Sequence, residues 1–583
     1  MSRVIEPAPA PAVELTSATD FSGGNASIPT LPFAATLLAS AALAACGGGG
    51  GGDAGAPSPS PAPAPAPAPA PPSGLSATDA SRFLAQASIG ANRAGIARVQ
   101  AIGYAAWINE QIAVAPSTTR WDALVAGGFA APTFKNGEGG FDACAWRKML
   151  SSPDSLRQRM TLALSEIMVT SIDSLNGGWK AFAAANYLDV LEANAFGNYR
   201  ALMQAISTNT AMGMYLTFRG SMKANPSSGS LPDENYAREL MQLFTIGLVQ
   251  LNLDGTPALT NGNPTYTYSL TDITGLARIF TGYEFDAFGT TPDTSPDFLR
   301  RPLTQIAARH ETGASTFLGV TVPANSGAAT ALGIALDTIF AHPNVGPFVS
   351  KQLIQRLVTS NPSPAYVARI ATVFNNDGSG TKGNLTAVLK AILLDDEARS
   401  PSIATGVSAG KLREPMLRFA AWARAWSAAS ASDAWAIGNT SEPATRLGQS
   451  PLRSTSVFNF FRPGYVPPNS AIASASLVAP EFQLTNESTV VGAVNFMQRA
   501  MSGQGLGDVV ADYSSLLAIA DDSTALMAEI NLVLAAGQIG TATAATIASA
   551  VGTMPGGTDA LRRNRIYATL TLVVAAPEFV VLK

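Results

Sequence analysis

The stretch PDENYARELMQLFTIG, residues 232–247, gathers Glu234, Asn235, Arg238, Glu239 and Gln242 within nine residues. Wound at about 100° per residue, these five share one continuous arc of a helix, and Tyr236, Ala237, Leu240, Met241, Leu243 and Phe244 fill the remainder. Such an arc offers a carboxylate, Glu239 or Glu234, as general base or metal ligand. Arg238 would hold an anion and Asn235 would add a polar binding contact. A second stretch, RHETGASTFLG at 309–319, sets His310 beside Glu311 ahead of a glycine turn. An imidazole there is tunable near neutral pH and can move protons, with Glu311 as a binding or ligating neighbour. Both stretches also have a plainer reading. A polar arc is what a helix shows to water, and His310 with Glu311 can simply cap a loop.

Other chemical patterns are incomplete. Two histidines, His310 and His342, cannot build an HExxH zinc site or a multi-histidine centre, so no metal is assigned and no cofactor follows from the sequence. GVSAG, residues 406–410, spells a nucleophile elbow but lacks a strand before it. NNDGSGTKGN resembles a calcium loop without its first acidic ligand or closing glutamate, and reads as a turn. No phosphate-binding or dinucleotide glycine motif is present. Cys144 reads as a small core residue and His342 as a helix-boundary residue.

The elements that must position these groups are mostly helical. Pro232 suits a helix start, Asp233 an N-cap and Gly247 a stop. ATDASRFLAQAS, RAGIARVQAIGYAAWINEQIA, SLRQRMTLALSEIMVTSI, NLTAVLKAILLDDEAR, REPMLRFAAWARAW and RRNRIYATLTLVVAA carry caps or apolar spacing of helical period. STFLGVTV is the best candidate for a short strand, and FNFFRPGYVPPNS reads as irregular. The fold class predicted is mainly α: one large helical domain over 76–583, with proline-rich loops and at most a few short strands.

Ahead of that domain, LPFAATLLASAALAAC ends in Leu43-Ala44-Ala45-Cys46, the spelling of a bacterial lipobox, so 1–46 reads as an export segment with Cys46 as the lipidated residue. The basic residue nearest its start, Arg3, lies far upstream, as either a start site chosen too early or an unusual export signal would leave it. Residues 47–75 form a low-complexity linker of glycines followed by alternating Pro and Ala. Pro57 to Pro72 would extend roughly 50 Å as polyproline II, at about 3.1 Å per residue. The 583-residue chain is 47% hydrophobic and only 13% charged, with net charge −4 and no long basic run. Nucleic acid is therefore not an expected partner.

Several ordered stretches resemble the domain-of-unknown-function family 1800 (DUF 1800), large exported bacterial proteins. They are FLAQASIGA, LRQRMTLALSEI, NAFGNYRALM, PDENYARELMQLFTIG, DITGLARIFTGY, RHETGASTFLG, SVFNFFRPGY, VAPEFQLTNEST and APEFVVLK. The family pattern around the histidine reads His-Asp-x-Gly-x-Lys. This chain has Glu311 for the Asp and Ser315 for the Lys, so no lysine role carries over. Some members carry a Trp-His-Asn-His-like stretch where this chain has Leu164 to Ile167, so a histidine-dependent metal site is not implied here.

Two functions are expected. One is a lipid-anchored cell-envelope protein with a binding or assembly role, facing the periplasm or cell surface, its partners the membrane and an envelope protein. The alternative is an extracytoplasmic hydrolase using carboxylates and one histidine: Glu239 or Glu234, with His310.

Overall fold

Capping chemistry starts most of the helices in the computed structural model, which describes residues 74–583. Ser76 caps Ala77–Ala87, Asn92 caps Arg93–Ala113 and Asn384 caps Leu385–Leu394, each accepting an otherwise orphaned backbone N–H. Ser269 and Asp272 close a reciprocal capping box on Leu270–Ile279. Pro415 opens Pro415–Ala425 from the first-turn position, where its missing N–H costs nothing.

Among the described residues there are 24 α-helices and five two-stranded antiparallel sheets. The fold is mainly α, as the periodicity predicts. STFLGVTV forms a whole hairpin, Ser315–Phe317 against Val320–Val322, turning at Leu318 and Gly319. It lies so close on Leu270–Ile279 that a Cβ at Gly275 would stand 2.0 Å from the Thr316 carbonyl oxygen. FNFFRPGYVPPNS is irregular throughout. The long Arg93–Ala113 helix breaks at Gly103, where φ is 78°. Buried apolar side chains form one continuous core cluster from Ala80 to Phe579, including Cys144. His342 sits just past the end of Ala328–Ala341. No helix among the described residues is long and apolar enough to cross a membrane.

The expectations for 1–46, Cys46 included, and for 47–73 lie outside the described residues. Two others change. The 232–247 stretch is not one α-helix: Asn235–Glu239 is α-helical, then Leu240–Thr245 widens into a π-helical turn. The Thr245 hydroxyl donates to the Leu240 carbonyl, five residues back, at 2.5 Å and so fills the wider turn. Gly247 does end the element, at φ 71°. Ser155–Ser165 also stops earlier than its apolar pattern suggests, leaving Glu166 at its C-cap while Ile167 and Met168 stay in the core.

Candidate functional site

The predicted polar arc does not act as one surface, and only Gln242 lies beyond the change of winding. Glu234 and Arg238 form an ion pair at 3.1 Å, with 31% and 40% of their side chains exposed. Glu234 also accepts from Thr274 Oγ1 at 2.7 Å. Asn235 is exposed, and its backbone N–H is taken by the Asp233 carboxylate at 2.8 Å, so Asp233 does act at the helix start. Glu239 faces the other way. It is 6% exposed, its Oε2 has no hydrogen-bond partner, and burial pushes its carboxyl above the ordinary range against the pull of Arg238. The Tyr268 phenol is pushed up to about 12, chiefly by burial and then by the Glu239 charge.

His310 is buried on a different set of groups. Its Nδ1 lies 2.8 Å from Gln305 Nε2 and 3.1 Å from both the hydroxyl and the carbonyl of Thr281. Glu311 donates its N–H to Thr281 Oγ1, accepts from the Gly313 N–H at 3.1 Å and faces Arg278 at 3.4 Å. The Gly313 hydrogen bond, and then Arg278, hold its carboxyl below the ordinary range. The structure thus joins His310 and Glu311 through Thr281, and Glu234 with Arg238. No hydrogen bond or ion pair among the described residues joins His310 to Glu239.

Gln242, the last polar member of the arc, points elsewhere. It lines a cleft of about 1100 Å³ together with Gln352, Gln355, Arg356, Arg462 and Glu166. Its apolar walls include Leu248, Phe348, Phe458 and Val466. Four stretches that carry the family resemblance meet here. Glu166 comes from LRQRMTLALSEI, and Gln242 and Gly247 from PDENYARELMQLFTIG. Phe458, Arg462 and Tyr465 come from SVFNFFRPGY, and Val478 opens VAPEFQLTNEST. Gly247 is required at the wall, since a Cβ there would meet the Phe348 ring at 2.6 Å.

Behind the cleft lies a buried charge cluster that sequence reasoning did not single out. Glu166, Glu414 and Glu481 are 4%, 0% and 1% exposed, and Arg159, Arg356 and Lys411 are equally enclosed. Lys411 Nζ pairs with Glu481 Oε1 at 2.8 Å and stands 4.0 Å from Glu414 Oε1. Lys411 also donates to the Arg356 carbonyl at 2.7 Å, and Arg159 donates to the same oxygen. That carbonyl ends the Val345–Leu357 helix, where cations are favoured. Arg356 Nε is 3.7 Å from Glu166 Oε2, and its guanidinium covers the Phe461 ring at 4.6 Å.

The Glu166 and Glu414 carboxyl groups influence one another, and their surroundings push their proton affinities apart. Burial, followed by the neighbouring Glu414 charge, pushes the Glu166 carboxyl well above the ordinary range. Its place at a helix C-cap acts the same way, since that end disfavours an anion. Burial also pushes Glu414 up, but the hydrogen bond from Glu166, together with Lys411 and Arg159, outweighs it and holds Glu414 low. Glu414 is the N-cap of Pro415–Ala425, the end that favours an anion, and Gln449 donates to its Oε2 at 2.8 Å. Of the two, Glu166 is the group that holds a proton more readily and Glu414 the one that holds charge more readily. A proton shared between them would give one Glu166 oxygen and Glu414 Oε1 the partners they otherwise lack. Among the described residues, no group of three or more His, Cys, Asp or Glu side chains is arranged to hold a metal ion.

A signal for this cluster does exist in the sequence. Glu166 in LALSEIMV and Glu481 in LVAPEF are lone acids in apolar surroundings, and Glu414 directly precedes a proline. Such positions suit buried or capping carboxylates, but their mutual approach requires the tertiary fold.

Fold and site together define a helical domain with an amphipathic cleft set over a buried pair of glutamates. Residues 82–581 match the family described as "Protein of unknown function (DUF1800)", and the chain belongs to that family. Neither the curated proteins nor the solved structures contain a match to it.

Proposed function

We propose that this chain is a lipid-anchored cell-envelope protein whose helical domain binds a ligand in the Glu166 cleft, a binding or assembly role. The observation that carries the reading is the cleft itself, about 1100 Å³ with an amphipathic lining, within the size of small-molecule sites or somewhat above it. Cys46 in its lipobox spelling and the Pro-Ala spacer behind it support the anchor and the distance from the membrane. A ligand that binds only the folded protein raises its melting temperature by mass action. Fractionated envelope extract should therefore raise the melting temperature of the protein. Gly464→Trp, at a cleft position where a side chain meets open space, should abolish the rise. A cleft-filled variant that responds as fully as the unsubstituted protein sinks the binding site. For the anchor, Cys46→Ser should move the protein from membrane to soluble fractions, and continued full partition with membranes counts against it.

One observation favours the alternative of an extracytoplasmic hydrolase using carboxylates and a histidine: Glu166 borders the cleft with its proton affinity raised by burial and by Glu414, as suits a group that gives a proton to a leaving group. Against it, hydrolysis by two carboxyl groups needs both to reach the substrate, and Glu414 is wholly buried behind Glu166. His310 bonds to neither of them. Turnover of nitrophenyl esters or glycosides that disappears in Glu166→Gln would move the reading to the hydrolase.

A further inference from the structure

We infer that the cleft takes an amphipathic anion, an apolar chain ending in an acidic group, and that its entry is coupled to protonation of Glu166. The inference rests on the reading of the cleft as a ligand site and adds the ligand's chemical class.

The charge distribution points to the anion. Glu166 is the single acid among the described residues lining the cleft, against Arg356, Arg462 and Lys351. Neither Arg462 nor Lys351 forms an ion pair among the described residues, although the chain as a whole carries net charge −4. Arg462 is exposed with its guanidinium 4.9 Å from the Phe458 ring centre, a stacked cation held in place for a planar acid group. The buried cluster points the same way. When Glu166 is protonated, the three cations Arg159, Arg356 and Lys411 face only two carboxylates, Glu414 and Glu481. In that state one positive charge is left uncompensated beside the cleft that Arg356 lines. The apolar half of the ligand follows from the walls. Leu248, Phe458 and Val466 are 50%, 36% and 38% exposed, large side chains that a hydrocarbon body would cover.

Proton coupling follows from competition for Arg356. Ionised Glu166, 3.7 Å from Arg356 Nε, would satisfy that cation itself and repel an incoming anion. Protonated Glu166 leaves Arg356 to the ligand. The groups that face Glu166 are Arg159 from its own helix, Arg356 from Val345–Leu357, and Lys411 and Glu414 ahead of Pro415–Ala425, with Glu481 from Pro480–Leu484 one step further, on Lys411. Glutamine at position 166 mimics the acid form, since its amide can donate to Glu414 as the carboxyl does.

The test is calorimetric titration of the full chain carrying Cys46→Ser, so that neither acyl chain nor detergent competes. The probes are decanesulfonate, decanoate, decyl phosphate and the uncharged decyl maltoside, each below its micelle concentration. The anions should bind at least about tenfold more tightly than the maltoside, as a charge-assisted contact requires. Decanoate against decyl phosphate separates a carboxylate end from a phosphate end. Decanesulfonate keeps its charge at all pH values used, and it should bind about tenfold more weakly at about pH 8 than at about pH 5. Glu166→Gln should remove that pH difference and keep the tight value, and Arg462→Ala should weaken every anion. Equal binding of decyl maltoside overturns the anionic class and leaves the cleft as a site. Failure of all four probes to bind overturns the inference, while the response to envelope extract remains the separate test of the cleft. A pH difference that persists in Glu166→Gln overturns the coupling to Glu166.

Discussion

At Glu239 the decisive quantity is access to water. Its carboxyl is 6% exposed, one oxygen lacks a partner, and burial raises its proton affinity in the folded state. A carboxyl raised on folding binds more protons in the native than in the unfolded chain. Its contribution to stability is therefore complete below the ordinary glutamate range and is lost as pH rises through the raised native value. Glu239→Gln abolishes that loss. Its melting temperature should match the unsubstituted protein under acidic conditions and exceed it at neutral pH and above, and a constant difference across pH would contradict this. The neighbouring Glu234–Arg238 pair is partly solvated on both sides, so its Coulomb energy is screened. Arg238→Ala should cost less than about 1 kcal/mol in a denaturant titration, the range of exposed pairs. A loss of several kcal/mol would place that pair in a desolvated setting.

At the scale of elements, much was legible because capping and period are local. Ser76, Asn92 and Asn384 announce helices that the fold keeps, and the strand-like STFLGVTV is a hairpin. The π-helical turn at Leu240–Thr245 was not legible. Its extra residue is accommodated by the Thr245 hydroxyl and by packing, and apolar period alone does not report either. The burial of Glu239 precedes that change: at helical winding it lies at the edge of the arc, about 140° round from Glu234, and tertiary packing covers that edge while leaving Glu234 and Arg238 at the surface. The cleft was out of reach because Glu166, Arg356, Glu414 and Glu481 come from four separate stretches of the chain and only their folded neighbours make them a site. Gly275 is a further tertiary demand. Because a Cβ there would fall 2.0 Å from a backbone oxygen, Gly275→Ala must push the Ser315–Val322 hairpin off its helix. A cost of about 1–3 kcal/mol or more is expected in denaturant titration, as for overpacked positions. An unchanged midpoint would show that the hairpin is free to move.

For the whole molecule, the buried cluster ties together parts of the chain that are remote in sequence. Lys411 stands in a short strand, Lys411–Leu412, paired with Val581–Leu582 at the C-terminal end. Its ammonium reaches Glu481, Glu414 and the carbonyl of Arg356, which in turn receives Arg159 from the Ser155–Ser165 helix. One side chain that is 3% exposed thus connects regions remote in sequence. Lys411→Met keeps the volume but leaves Glu481 and Glu414 without their cation. Breaking a buried pair from one side should cost about 3–5 kcal/mol, because the desolvated partner remains charged. Adding Glu481→Gln removes part of that uncompensated charge, so the double variant should be more stable than Lys411→Met alone. The measurement is a double-mutant cycle in denaturant, with the transition followed by both circular dichroism and tryptophan fluorescence. If Lys411→Met loses less than about 1 kcal/mol, or the two substitutions simply add, the cluster does not hold the regions together. If the two probes separate in Lys411→Met but coincide in the unsubstituted protein, the cluster is what makes the domain unfold as one unit.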